Sequence, residues 1–188
     1  MTTTSDRLAR PLRVLLVHNA YQLRGGEDGV VDAEVALLRE HGHQVELLKR
    51  TNDDVPGMSR LVLAAQTLWS SDTVRRLKEA AARFSPDVIH VHNTLPLVSP
   101  SVFWGAAALG VPVVQTLHNF RLMCPQATFL RDSQVCEDCL GHMPWAAVRH
   151  RCYRDSAPQS AAIVAMLGLH RALGTYVNKV DQIGRAHV

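Results

Sequence analysis

Aromatic residues are scarce in this chain, its charge is close to balanced, and it has no long apolar run; each shortage removes a class of function. Only 5% of the 188 residues are Phe, Trp or Tyr, and the formal net charge is +3. No basic patch is interleaved with aromatics, so the surface that a nucleic-acid binder needs is missing. Residues 1–10 are polar, and the apolar run after them, Val14 to Val17, is too short for a signal-peptide core or a membrane span. A cytoplasmic protein is therefore expected, at most peripheral on the inner face of a membrane. Neither G-x-G-x-x-G nor G-x-x-x-x-G-K-[ST] occurs, which counts against a dinucleotide oxidoreductase and a P-loop NTPase. The cysteines number four, all between Cys124 and Cys152, and a cytosolic setting disfavours disulfides among them.

What is present is an apolar fraction of 47%, enough for one domain with a real core. Residues 12–18 and 44–48 read as strands. Between them residues 27–41 carry Val30, Val31, Val35, Leu37 and Leu38 at helical spacing and stop at Gly42. Residues 52–57 are turn-like, and residues 58–69 and 73–84 predict two helices split at Ser70, Ser71 and Asp72. Residues 100–109 predict a helix closed by Gly110. Two apolar, β-branched runs, Val88-Ile89-His90-Val91-His92-Asn93 and Val113-Val114-Gln115-Thr116-Leu117-His118-Asn119, both end in His-Asn. They predict buried parallel strands that bring imidazole and amide groups to one rim. In open α/β sheets that carboxyl-end rim is where ligands bind. The expected fold class is α/β, a Rossmann-like parallel sheet with helices on both faces. Residues 120–154 show no strong period beyond a hairpin near Arg131, Asp132 and Ser133, and residues 157–180 recover helical spacing through Ile163, Met166, Leu167, His170, Leu173 and Val177.

Between the first strand and first helix stands Arg24-Gly25-Gly26-Glu27-Asp28. Paired glycines let backbone approach a ligand, and a helix start favours an anion, although the same pair also makes plain turns. Taken in order, this motif, His18-Asn19 before it, Gly42-His43, Pro86-Asp87 leading into the first His-Asn strand, and Gly110-Val111-Pro112 leading into the second resemble the N-terminal domain of family 4 glycosyltransferases. The resemblance continues through Arg121-Leu122-Met123-Cys124-Pro125, Cys136-Glu137-Asp138-Cys139-Leu140 and His150-Arg151-Cys152-Tyr153-Arg154, and spans residues 12 to about 181.

The resemblance implies a GT-B enzyme, two Rossmann-like domains facing a cleft, of which this chain is the acceptor-side half. Such an enzyme moves a sugar, with retention, from a nucleotide-sugar donor to a glycan or lipid-linked acceptor, as in cell-envelope polysaccharide synthesis. It requires no cofactor and no catalytic metal. By the same resemblance Gly25, Gly26 and Glu27 contact the donor diphosphate, and His118 lies beside the anomeric centre. The paired glutamates that clamp the donor belong to a second domain absent here, so the chain is expected to be incomplete and inactive alone. Asn19, His92, Asn93 and Asn119 are the expected acceptor and cleft residues; the asparagines could equally cap helices or shape turns. His90 is expected to point away from His92 and to be structural. The competing reading is a non-catalytic, phosphate- or sugar-binding module of the same fold.

Cys136-x2-Cys139 has the spacing of a zinc knuckle, with Cys124 and Cys152 on either side, so the four are a candidate structural zinc site; His142 and His150 are alternative ligands, and four ordinary reduced thiols the plainer reading. Trp69, Trp104 and Trp145, with Leu61, Leu63 and Leu68, suggest an apolar acceptor surface or simply core. The expected boundaries are a disordered tail over residues 1–11, one domain over 12–181 with a Cys-containing insertion at 120–156, and a non-native end over 182–188. Its last six residues match an in-frame read through a common sequencing adapter.

Overall fold

The computed structural model describes residues 10–186. Strand β1 (Arg13–Ala20) is followed by helix α1 (Gly26–Glu40) and β2 (Gln44–Thr51), then by a 3-10 turn at Asn52–Gly57. Helices α2 (Arg60–Leu68) and α3 (Ser71–Phe84) lead to β3 (Val88–Val91), α4 (Ser101–Leu109) and β4 (Val113–Leu117). A small hairpin, β5 (Leu130–Arg131) with β6 (Gln134–Val135), precedes α5 (Ala146–Arg149), α6 (Ala157–Ala172), α7 (Thr175–Asn178) and β7 (Gln182–Arg185). The main sheet is parallel throughout, in the order β2-β1-β3-β4-β7. This is the α/β fold expected, with helices on both faces.

Local chemistry explains where the helices start and stop. The Asp28 carboxylate accepts from the Gly25 N–H at 2.8 Å, and Glu27 and Asp28 sit at the positive end of α1. The Ser70 hydroxyl accepts from the Thr73 N–H and caps α3, so that helix begins at Ser71, two residues before the sequence pattern placed it. At its other end Ser85 turns left-handed just ahead of Pro86. Helix α6 carries a Ser156 cap and Pro158 in its first turn, and stops at Leu173, ahead of a left-handed Gly174.

β1 is buried along nearly its whole length, and its side chains alternate between two cores. Leu15 and Val17, with Ile89, Val91 and Val113, pack against Leu77 of α3 and Phe103 of α4. Leu16 faces the other way, onto Val31 and Val35 of α1. His90 is on this second side, and so is His92. The expectation that they point apart is corrected here: residues two apart share a face, and the two rings lie 4.4 Å apart.

The expected tail over residues 1–11 falls largely on residues 1–9, outside the described ones, as do residues 187 and 188 of the expected non-native end. The rest of that end forms β7, beside β4. Among the described residues no helix is long and apolar enough to cross a membrane.

Two glycines separate packing from propensity. A Cβ on Gly105 of α4 would meet Leu77 at 3.1 Å and Val74 at 3.3 Å, whereas one on Gly29 of α1 meets nothing within 4 Å. Gly105→Val is predicted to destabilise by about 1–3 kcal/mol through overpacking. Gly29→Ala is predicted to stabilise by up to about 1 kcal/mol through helix propensity. Urea unfolding measures both; equal effects of the same sign would remove the α3–α4 contact as the cause.

Candidate active site

Strand order reverses at β1, whose neighbours are β2 on one side and β3 on the other. The crevice expected at such a point lies outside the carboxyl ends of the strands, and a cavity of about 40 Å³ is found there, lined among others by Glu27, His92, Asn93, Gln115, His118 and Asn119. Its walls are the end of β4, the residues that follow β3 and β4, the first turn of α1, Met166 of α6 and Tyr176 of α7.

Glu27 is held from two directions. Asn119 Nδ2 donates to its Oε1 at 2.7 Å and the Tyr21 hydroxyl donates to its Oε2 at 3.0 Å. Burial, and after it the Glu27 charge, pushes the Tyr21 phenol above its ordinary range, so it remains a donor. The Asn119 Oδ1 accepts from the Arg121 N–H at 3.0 Å, which fixes the chain as it leaves β4.

Four histidines gather on the α1 side of the sheet. His18 Nε2 lies 2.8 Å from Asp28 Oδ1. Burial works to raise the Asp28 pKa, but the Gly25 N–H and His18 outweigh it, and the carboxyl is held below its usual range. Nε2 of His18 is therefore the donor in this pair. His90 Nδ1 lies 2.6 Å from Glu34 Oε1, and His90 Nε2 lies 2.8 Å from the Thr116 hydroxyl. His92 Nδ1 lies 2.9 Å from His118 Nε2, and the two rings are stacked. Burial, helped by the neighbouring His90, His118 and His18, pushes His92 down to about 2. Burial also lowers His118, against the pull of Glu27. Both rings are thus neutral at ordinary pH, and each has one nitrogen to donate and one to accept.

Glu34, His90 and His92 place one ligand atom each within 4.8 Å of the others. A carboxylate with two imidazoles is a donor set that transition ions accept. In this structure, however, His90 spends both nitrogens on Glu34 and Thr116, so the group is organised as a hydrogen-bond network.

Several atoms in this region lack any partner among the described residues: His18 Nδ1, His92 Nε2, His118 Nδ1 and Gln115 Oε1. Buried polar atoms are almost always bonded, and a group of exceptions beside a cavity marks where a polar ligand or water completes the set.

The anticipated residues distribute unevenly. His92, Asn93, His118, Asn119 and Glu27 line the cavity, while Gly25 and Gly26 do not. Gly25 has its N–H bound by Asp28, and Gly26 opens α1 with free space around it. Asn19 is fully buried, donating to Asn52 Oδ1 at 2.7 Å and accepting from the Leu97 N–H at 2.9 Å, and so ties β1 to two loops. Asn93 donates to the Asn19 carbonyl and accepts from the Leu95 N–H. Trp69 stacks on His170, and Trp104 donates to Thr175; Trp145 is mostly exposed. Cys124, Cys136, Cys139 and Cys152 line a separate, smaller cavity. Sequence reasoning missed Glu34, Thr116 and Tyr21. A carboxylate at position 34, beside Val35 on the sheet-facing side of α1, was the signal for the first; Thr116 meets His90 26 residues away, and Tyr21 reaches Glu27 across the loop between β1 and α1.

The family model described as Glycosyltransferase Family 4 matches residues 24–166, more than half of the chain and every residue that lines the cavity except Tyr176. The chain belongs to glycosyltransferase family 4. Among solved structures, this family 4 domain is similar to a chain described as an "S. aureus MnaA-UDP co-structure", at 11% identity and a TM-score of 0.42 over 90% of this chain and 42% of that one. It is also similar to a sugar transporter from Clostridium phytofermentans, at 11% identity and a TM-score of 0.40 over 94% of this chain and 61% of that one. The chain thus spans well under two thirds of the length of either, and at such identity neither carries functional weight. No curated protein matches.

The neutral state of His92 has a measurable consequence. An unfolded chain takes up a proton there below the ordinary pKa of 6.5, and the folded one does not until pH falls to about 2. The folded pKa is depressed, so the contribution to stability is present above pH 6.5 and is lost progressively below it, by about 1.4 kcal/mol per pH unit for one proton. His118 and His170 are shifted in the same direction by burial. Unfolding free energy measured between pH 7.5 and 5.5 should fall with pH, and the slope should be shallower in His92→Asn by about half a proton on average over that range, approaching one at its acid end. An identical slope in that variant would show that His92 titrates normally.

Proposed function

We propose that this family 4 domain is the acceptor-side half of a retaining glycosyltransferase that takes a sugar from a nucleotide-sugar donor and passes it to a glycan or lipid-linked acceptor. Catalysis in this reading requires a second domain facing the cleft. The observation that carries it is the cavity at the carboxyl ends of β3 and β4, where neutral His118 and the amide of Gln115 present buried acceptor atoms, Nδ1 and Oε1, without partners among the described residues. Two acceptors suit a neutral hydroxyl, which donates, better than they suit an anion.

The roles follow from how charge moves. In glycosyl transfer the sugar gains positive character as the diphosphate leaves with negative charge. First-turn N–H groups have no intrahelical acceptor, so those of Gly26 and Glu27, at the positive end of α1, would stabilise the leaving group as its charge grows. The Glu27 carboxylate is already engaged by Tyr21 and Asn119, which limits its repulsion of a phosphate. With the His92 Nε2 proton directed toward Glu34, 3.5 Å away, His92 Nδ1 accepts from His118 Nε2. A lone pair then remains on His118 Nδ1 to take a hydroxyl proton or hold a sugar hydroxyl. His118 is the catalytic residue in this reading, and His92 and Glu34 are positioning residues. In this reading retention relies on the departing phosphate, because among the described residues Glu27 is the one carboxylate that lines the cavity, whereas glycoside hydrolases use two. The reading places the enzyme in the cytoplasm, at most peripheral on the inner face of a membrane.

The test is transfer and hydrolysis of UDP- and GDP-sugars by a chain that carries both halves of the fold. His118→Ala is expected to lower kcat by about 100-fold or more, with unchanged circular dichroism. Full turnover in that variant removes His118 from the mechanism. Tight sugar or nucleotide binding with no turnover by the wild-type chain would favour the non-catalytic module.

A further inference from the structure

The cysteines lie outside the cleft and are not used by the mechanism. All four are reduced, and they reach one cavity from four different places: the turn after β4 (Cys124), the end of the hairpin (Cys136), the turn that follows it (Cys139), and the segment after α5 (Cys152). That cavity measures about 20 Å³, room for one small ion or water and nothing larger. His142 and His150, the alternative ligands, are not part of its lining.

The surrounding segment has little else to hold it. Between β4 and α6 the regular structure is two strands of two residues and one helix of four. Its large side chains face outward: Leu130 is 52% exposed, Trp145 63% and Val135 77%. The apolar cluster it contributes to is built on Cys139 and Ala147 packed against Val164 of α6. The backbone is also held in unfavourable conformations. Of nine non-glycine residues with positive φ among the described residues, seven fall between Ala127 and Asp155. Asp132 and Ser133 are the two turn residues of the hairpin, as a tight β-turn of that kind requires; the other five need a surrounding structure that over-determines them. Small segments without a core obtain such order from a cross-link or a metal.

We propose that Cys124, Cys136, Cys139 and Cys152 bind one zinc ion in a closed, four-thiolate structural site. Four thiols around one small cavity repel one another once they ionise, and a divalent cation reverses the sign of that interaction. Binding replaces four S–H bonds by four Zn–S bonds and releases four protons, leaving a site of charge −2. Arg131, which lines the same cavity and also pairs with Asp138 at 2.7 Å, supplies a nearby positive charge. With four protein ligands no coordination position is open for substrate, so the ion holds structure and takes no part in sugar transfer.

Purified wild-type protein dialysed against metal-free buffer should retain about one zinc per chain by elemental mass spectrometry, and Cys139→Ser should lose most of it. Less than about a tenth of an equivalent in the wild type would overturn the proposal. Because loss of a ligand can unfold the segment, two measurements use the wild-type chain alone. Exchange of the bound metal for Co²⁺ should give the intense visible bands and thiolate charge-transfer absorption of a tetrahedral sulfur site; a weak octahedral spectrum counts against it. Alkylation by iodoacetamide should modify all four cysteines only after a strong chelator is added, and full modification without chelator would show four free thiols.

Discussion

The structure rests on how α1 lies over the sheet. A helix normally covers a parallel sheet with an apolar stripe, and the middle of α1 does so with Val31 and Val35. At its first turn and again at Glu34, the same helix presents carboxylates to His18, His90 and His92. Burying these groups would be costly if they were left unpaired. The cost is limited because His92 and His118 stay neutral, Asp28 is bonded by Gly25 and His18, and Glu27 by Tyr21 and Asn119. What remains unsatisfied is concentrated beside the cavity. Apolar side chains at these positions would seal α1 more tightly to the sheet and leave nothing there to bind a polar ligand.

Strand alternation divides the sheet accordingly. Leu15, Val17, Ile89, Val91 and Val113 face α3 and α4 in a core that contains Phe103 and Leu77, and most of the hydrophobic stabilisation comes from that side. Leu16, His18, His90, His92 and Thr116 take the other side, where the polar contacts are. Each strand therefore contributes to both stability and chemistry, one residue apart, and a register slip of one residue would exchange them. Long parallel pairing of β1 with β2 and β3 holds that register in place.

The elements were legible because their periods are local. Glycine stops, hydroxyl caps and β-branched runs placed β1 to β4 and α1 to α4 to within a few residues, and the hairpin at Asp132 and Ser133 was foreseen, whereas α5, the break between α6 and α7 and the strand β7 were not. The rim carrying His92 and His118 was legible for the same reason. Contacts that depend on distant partners were not. Asn19 resembles a cleft residue in sequence, yet its amide is taken by Asn52 and Leu97, which only the folded connections bring near it. His90 is a different case. The two-residue period of a strand already put it on the same face as His92, and Glu34 opposite then joins the pair.

The cleft and the cysteine segment are joined through α6. Ile163, Met166 and Leu167 pack with Leu95, in the loop that follows β3, and Met166 also lines the cleft cavity. Val164, on another face of the same helix, packs with Cys139 and Ala147. Two arginines add polar ties: Arg121 donates to the Pro125 carbonyl, next to Cys124, and Arg171 of α6 donates to the Leu122 carbonyl at 2.7 Å. His118 and Cys124 are thus the two ends of a short segment pinned at Asn119, Arg121 and Leu122. Order at the cysteine end restricts where His118 can lie, since a seven-residue segment fixed at several backbone atoms has little freedom left to lose. A segment with almost no core of its own can therefore set the geometry of a cleft that its first residues, Arg121 and Leu122, help to line, by fixing the chain that carries the histidine.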